Sequence, residues 1–432
     1  MGLLAIVRTN YNGTAWAALA GALAATPGAR DLPLRFVQAG PNLPARLATL
    51  ARQHEPLVVA FSFSSPNVPA VATQVAAIRA ALGQTVTLIA GGPHPTGDPA
   101  GTLALGFDLV VRGEGEATFP ALAQRLLAGQ PWDDLSAPLP VHERGAGLPG
   151  LAYERQGVLV VAPLAAPVDL DSYPPFSLVH RCFGAIEISR GCPHACGFCQ
   201  VPRMFGGRMR HRSVETIVRA VSEAQAAGYY HDYARFVTPD AFAYGSPDGR
   251  TANPAAIEAL LQAMRSRFDV VYFGSFPSQV HPLTVTPQTV ALVRRYCAND
   301  NLALGAQTGS PRLLRSLGRG HTVDDVRRAV RLTLNAGLRA YVDFIFGLPG
   351  EQEEDLAASV ALVEELTSWG AIICGHAFMP LPGTRLAGAA PGVVTLEVRR
   401  LLGRLAQRGQ ALETWRTQEG YAAEIAELRL AA

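Results

Sequence analysis

The strongest constraint on the fold is an alternation, repeated in two series, of short apolar runs with longer amphipathic stretches. In the first series, residues 3–7, 34–37, 57–61, 86–90 and 109–111 are dominated by Leu, Val, Ile, Ala and Phe. Such runs read as strands buried on both faces. The segments 15–25, 44–53 and 68–82 between them carry helical periodicity. Five βα units of this kind predict a doubly wound, Rossmann-like parallel sheet, whose ligands lie at the carboxyl edge of the strands. The loops on that edge are 9–13, 62–67, 91–96 and 113–116, rich in glycine, hydroxyls and amides. Ser62, Ser65, Gly91, Gly92 and Thr96 are the candidate contacts to a polar ligand there. The same residue types also make ordinary βα turns and helix caps.

The second series predicts strands at 185–189, 235–238, 270–275, 302–307, 341–346 and 372–378. Helices are expected at 214–227, 254–265, 287–295, 323–336 and 353–369. Six βα units are too few to close an eight-stranded barrel. The expectation is an open, partial (βα)6 barrel of TIM type, again with its chemistry at the strand carboxyl ends. Between the two series lies Pro- and Gly-rich sequence with one expected hairpin, 150–154 and 157–162, turning at Arg155 and Gln156. The tail from 396 to 430 reads as mostly amphipathic helix covering a flank. The organisation expected of this α/β chain is therefore 1–131, a connector at 132–180, the partial barrel at 181–385 and a helical segment at 386–432.

Cys192, Cys196 and Cys199 fall in the run GCPHACGFCQ, directly after the first strand of the second series. Spacings of four and three positions put three thiolates on one short loop, able to hold three corners of a cubane iron–sulfur cluster. A fourth cysteine would complete the shell, and none follows nearby. Structural zinc prefers paired C-x-x-C knuckles or a Cys/His quartet, and here one pair stands without a second. His194, inside the loop, is the alternative fourth ligand for such an ion. A disulfide framework does not suit six cysteines in 432 residues. With no signal peptide read at the start, a reducing cytoplasm is the expected location. Cys297 and Cys374 sit in apolar patterns as buried thiols, and Cys182 precedes a strand. A net charge of +2 gives no support to a nucleic-acid surface. No apolar stretch is long enough to predict a membrane span.

With these features in place, the chain resembles the radical S-adenosylmethionine superfamily, in the branch that carries an N-terminal cobalamin-binding-type domain. The motifs GGPHPT (91–96) and DLVVRGEGE (108–116) carry the resemblance in the first series. QVPR (200–203), GAQTGS (305–310), DFIFGLPGE (343–351) and MPLPGT (379–384) carry it in the second. The resemblance implies that Cys192, Cys196 and Cys199 hold a [4Fe–4S] cluster with one iron open to S-adenosylmethionine. Reductive cleavage there would give methionine and a 5′-deoxyadenosyl radical. The implied partners are a small-molecule substrate and a reductant such as flavodoxin or ferredoxin, without nucleic acid or membrane.

Placed on these residues, the resemblance implies that Phe198 flanks the adenine and that Gln307 and Ser310 bind the ribose and methionyl group. Ser310 also suits a helix cap. Relatives often bind the amino group with a Gly-Gly-Glu segment after the second strand. Here the equivalent stretch is Thr238-Pro239-Asp240, which leaves Thr238, Asp240 or a backbone carbonyl for that task. Asp343 is expected to point into the barrel, and Gly347 to let backbone approach the adenine. Arg203, Arg208, Arg210 and Arg212 suit either an acidic group or a solvated basic face. His281, Tyr244 and Arg319 are candidates by position alone.

Relatives that bind cobalamin through a lower histidine carry D-x-H-x-x-G after the first strand. Alignment on Gly13 puts Arg8 and Asn10 at the Asp and His positions. A corrinoid would then be held without a protein imidazole from this loop. Its presence implies methyl transfer to an unactivated centre, and its absence a radical rearrangement or cyclisation. A non-enzymatic electron carrier or sensor is the alternative outside enzymes.

Overall fold

The computed structural model describes residues 1–130 and 148–431, with side chains through 427. It divides into two compact units, Met1–Gly184 with the last five residues, and Ala185–Glu427.

The first unit is built on five parallel strands, β1 (Leu3–Arg8), β2 (Leu34–Gln38), β3 (Leu57–Ser62), β4 (Val86–Gly91) and β5 (Leu109–Val111). Their order is β2-β1-β3-β4-β5, so the chain reverses its direction of winding between β1 and β3. β1 and β3 are buried on both faces, with β4 nearly so. Their continuous aliphatic runs follow from helices covering both sides. Those helices are α1 (Gly13–Ala25), α2 (Leu43–Ala51), α3 (Val68–Leu82) and α4 (Thr118–Leu127). Leu47, Val59, Val75 and Ile78 meet in one core.

The expected hairpin does not stand apart as a connector. β6 (Leu151–Arg155) pairs antiparallel with β5, and β7 (Val158–Val161) completes a seven-stranded sheet. Its turn falls one residue later than expected, at Gln156 and Gly157, both with positive φ (52° and 75°). That is the primed turn whose twist matches paired strands. The chain then returns over α1, where a Cβ on Gly21 would overlap the carbonyl of Pro174. Of the predicted connector, residues 132–147 lie outside the described residues.

The second unit has six parallel strands: β8 (Ile186–Glu187), β9 (Ala234–Val237), β10 (Val271–Tyr272), β11 (Asn301–Gln307), β12 (Arg339–Phe346) and β13 (Ile372–Ala377). With a short edge strand at Ala411–Leu412 they form a three-stranded and a four-stranded sheet, bridged where Ala303 N–H donates to the Gly274 carbonyl at 3.0 Å. The helices between them are α5 (Val214–Ala226), α6 (Pro254–Arg265), α7 (Pro287–Tyr296), α8 (Pro311–Leu317), α9 (Val323–Asn335) and α10 (Glu353–Ser368). Ser213, Asn253, Thr286, Ser310 and Thr322 cap α5 to α9 through their side chains. These caps fix the first residue of each helix.

Two expectations change. The predicted strand 270–275 shrinks to β10, because Gly274 turns to φ 77°. The predicted strand 185–189 breaks, and Ser189–Arg190 pairs antiparallel with Arg210–His211, closing the base of the cysteine loop. The tail is mostly helical, as expected. α11 (Leu396–Gln407) and α12 (Trp415–Ala431) are separated by β14 (Ala411–Leu412), which adds to the edge of β13.

Candidate active site

The loop carrying Cys192, Cys196 and Cys199 leaves the carboxyl end of β8, at the barrel edge where catalytic loops gather. Gly191 starts it at φ 88°, and a Cβ there would overlap the Arg208 carbonyl. Cys192 N–H donates to the Gly206 carbonyl at 3.1 Å, Gly197 N–H to Leu317 at 2.8 Å and Cys199 N–H to Cys196 at 3.1 Å. Cys192 has the other two thiols and Arg319 as electrostatic neighbours. Burial pushes the Cys192 thiol up to about 11 and raises Cys199 as well. Thiolates here therefore need compensating positive charge, which iron supplies and which the Arg319 guanidinium adds to. Arg319 Nη1 donates to Cys196 Sγ at 3.4 Å while Nη2 donates to the Gly305 carbonyl at 2.8 Å.

Among the described residues no three His, Cys, Asp or Glu side chains form a site for a single metal ion. A cubane instead takes its thiolates at separate corners, so the donor set fits a cluster better than zinc. His194 stacks on His281 with centroids 3.9 Å apart, and neither of its ring nitrogens has a hydrogen-bond partner. His281 meets His321 edge-on at 5.0 Å. Burial, reinforced by Arg319, lowers His194 to about 4 and His321 to about 3, and lowers His281 strongly. Three neutral imidazoles thus stand together beside the loop.

A cavity of about 200 Å³ lies in this unit. Phe198, Gln307, Asp343, Ile345, Phe378 and Met379 are among its lining residues. Phe198 also packs against the cluster of Leu313, Leu317, Leu348 and Phe378, so its ring both anchors the loop and faces the cavity. Gln307 ends β11 with φ 75° and is buried. A non-glycine residue in the left-handed region is uncommon, and such strain concentrates at functional sites. Of the sequence-derived candidates, the structure brings Phe198, Gln307 and Asp343 together around one space.

The remaining candidates are placed elsewhere. Asp240 is fully buried and accepts from Phe242 N–H at 3.1 Å, His281 N–H at 3.3 Å and the Thr284 hydroxyl at 3.0 Å. Burial pushes it up to about 7. The Thr238 hydroxyl donates to the Asp240 carbonyl at 3.2 Å. Both residues tie loops together and neither lines the cavity. Ser310 caps α8 and gives its hydroxyl proton to Asp355 at 2.5 Å. At Gly347 (φ 72°) the backbone that approaches closely is that of Gly392 and Val393. The Tyr244 hydroxyl donates to the Arg212 carbonyl at 2.7 Å, and Arg212 is buried against the Glu187 carbonyl, while Arg203 and Arg208 are exposed. Cys297 and Cys374 neighbour Arg265 and Asp343, respectively, and burial raises each to about 12. Cys182 belongs to the first unit, bridged to Ser177.

Sequence reasoning missed Gln279, His376 and Gln418, which also line the cavity. Gln279 Nε2 donates to Asp343, and His376 Nε2 lies 3.4 Å from its other oxygen. Asp343 and His376 lie on adjacent parallel strands, where Cys374 stands opposite Asp343 and His376 follows two residues on, a neighbourhood that only the strand register reveals.

At the carboxyl edge of the first sheet, the loops after β1, β3, β4 and β5 are laced together. Asn12 Nδ2 donates to the Ser62 carbonyl at 3.2 Å, and Phe63 N–H to the Gly91 carbonyl at 3.1 Å. Gly113 N–H donates to the Thr96 hydroxyl at 2.9 Å. Gly92 adopts φ 102°, with the Phe63 carbonyl 2.8 Å from where a Cβ would stand. His94 is buried, stacked on Phe63 and hydrogen-bonded through Nδ1 to Ser65 Oγ at 3.0 Å. The loop after β1 presents Asn10 and Asn12 and no imidazole.

Residues 186–363 match the family model of the radical SAM superfamily, and residues 10–123 match that of the B12 binding domain. The chain thus carries both a radical SAM domain and, before it, a B12-binding domain. An uncharacterised protein of Methanopyrus kandleri is 31% identical over 216 residues, 48% of this chain and 39% of its own length. An uncharacterised methyltransferase of Pyrococcus horikoshii is 28% identical over 354 residues, 79% of this chain and 70% of its own. The chain thus spans about two fifths of the first relative and more of the second. Among solved structures, the radical S-adenosylmethionine methyltransferase TsrM of Kitasatospora setae, with cobalamin and a [4Fe–4S] cluster bound, is similar. Its TM-score is 0.64 at 17% identity, over 89% of this chain and 74% of that one. At that identity the likeness is one of fold. Among the described residues, no helix is long and apolar enough to cross a membrane.

Proposed function

We propose that this protein is a cobalamin-dependent radical S-adenosylmethionine enzyme that methylates a small molecule at an unactivated centre. The observation that carries the reading is the cysteine loop: three thiols, a guanidinium donor on one of them, and Phe198 reaching from the same loop to the cavity of Gln307 and Asp343. Cys192, Cys196 and Cys199 would hold the cluster, and the loops at Ser62–Ser65 and Gly91–Thr96 would cradle the corrinoid without a histidine from the first loop. When bound, the cluster supplies one electron to the sulfonium of S-adenosylmethionine and the corrinoid supplies a methyl group.

The chain's own residues bind and shield. Asp343 carries the charge of the cavity and offers acceptors to hydroxyl or ammonium groups. Gln307 offers a donor and an acceptor without a charge opposing the sulfonium. Phe198, Ile345 and Phe378 exclude water from the space where a reactive species would otherwise be quenched.

The test is anaerobic reconstitution followed by S-adenosylmethionine and a reductant. Formation of 5′-deoxyadenosine or S-adenosylhomocysteine is expected, and Cys196→Ala removes both together with the iron. Bound zinc near one per chain with iron near zero refutes the reading. A reconstituted protein whose cluster spectrum does not respond to S-adenosylmethionine refutes it equally.

A further inference from the structure

One wall of the cavity lies beyond the residues matched by the radical SAM model. It includes His376 on β13 and Gln418 on α12. Helix α12 is seated by Trp415, whose buried indole packs over Gly375 on β13, a position where a Cβ would leave 3.4 Å to the ring. Trp415 thereby fixes Gln418, three residues on, against the end of the same strand.

The orientation of the Gln418 amide is set by its neighbours. Its Oε1 accepts from the Ala377 N–H at 3.0 Å, so its Nε2 is the atom 3.0 Å from His376 Nδ1. The Thr414 hydroxyl, 3.2 Å from the same nitrogen, spends its proton on the Gly375 carbonyl at 2.6 Å. An amide NH₂ can only donate, so Nδ1 carries a lone pair and the imidazole proton sits on Nε2. That proton points to Asp343 Oδ1 at 3.4 Å, while Gln279 donates to Oδ2. Both oxygens of the carboxylate are thereby held by donors, one from a loop and one from β13.

We propose that His376 and Gln418 are positioning residues that fix Asp343 as a hydrogen-bond acceptor for a ribose-bearing ligand. The C-terminal helix is then part of the nucleoside site and not only a flank. The proposal rests on the cavity being the S-adenosylmethionine pocket. A carboxylate with both oxygens tethered cannot rotate away from a bound diol, so its hydrogen bonds need no reorganisation on binding.

The experiment uses the full chain, anaerobically reconstituted, with S-adenosylhomocysteine as probe in isothermal titration. His376→Phe and Gln418→Leu are each expected to weaken binding about tenfold, the usual scale for removing an orienting partner. Asp343→Asn combined with either should lose no more than Asp343→Asn alone. Gln418→Glu, nearly isosteric, keeps the acceptor for Ala377 N–H but turns the group at Nδ1 into an acceptor. In ¹⁵N-histidine spectra, which read the tautomer without ligand, it should convert His376 Nδ1 from unprotonated to protonated. Wild-type binding with unchanged affinity in the variants overturns the positioning role while leaving the pocket reading intact. A wild-type His376 protonated on Nδ1 overturns it too. Failure of the wild-type protein to bind overturns the pocket reading itself and the proposal with it.

Discussion

Replacing Arg319 by Met should lower the reduction potential of the bound cluster. The guanidinium donates to Cys196 Sγ at 3.4 Å and is fixed at its other end by the Gly305 carbonyl. At that distance a unit charge pair is worth about 5 kcal/mol at an effective dielectric of about 20. An electron entering a cubane is shared among its irons and sulfurs, further from the guanidinium than the one sulfur, and Arg319 is partly exposed. About 2 kcal/mol is therefore the expected differential, consistent with a hydrogen bond to a charged group. For a one-electron couple this is on the order of 90 mV. Methionine keeps the aliphatic bulk and removes the charge and both donors. The assay is a redox titration followed by the EPR signal of the reduced cluster, with iron per chain measured alongside. A drop of about 50 to 130 mV at unchanged iron content supports the reasoning. A shift within about 20 mV of zero, or a rise, means that solvent already screens Arg319 from the cluster.

Two further substitutions test the frame around the site. Gly191→Ala places a Cβ on the Arg208 carbonyl in a left-handed backbone; a loss of at least about 3 kcal/mol is expected, read as a lower urea midpoint and less iron retained after reconstitution. Asp240 has its pKa raised from an ordinary carboxyl value to about 7 by burial, so the folded state binds its proton more tightly than the unfolded chain does. Its cost to stability is absent below the unfolded value near 4 and grows as pH rises toward about 7. Asp240→Asn, which can keep the acceptor for Phe242 and His281 N–H, should therefore raise the denaturation midpoint at pH 8 relative to wild type. At pH 4 it should leave the midpoint nearly unchanged. An equal effect at both values would show that Asp240 is not titrating.

The alternation of buried strands and amphipathic helices and the three-cysteine loop were readable in the chain. Each is a local pattern: period, or spacing within one loop. The type of the central parallel strands follows from aliphatic runs such as 57–62, which only a two-sided cover of helices tolerates; β2, expected to be buried on both faces, is only partly buried because it lies at the sheet edge. The places that were misread are those where a distant segment intervenes. The hairpin became part of the first sheet because β5 left an edge that β6 could pair. Asp240 and Ser310, read as ligand candidates, are also internal ties that the sequence did not reveal, because Thr284 and Asp355 reach them from 44 and 45 residues away.

What the linear order of residues settled was the pair of βα architectures and the gathering of three thiols on one loop, since spacing within a loop needs no long-range fold to be meaningful. What the tertiary structure alone decided was which side chains share the cavity. Gln279 comes from the loop after β10, Asp343 from β12, His376 from β13 and Gln418 from α12, and only their tertiary packing sets these proton donors and acceptors against one another.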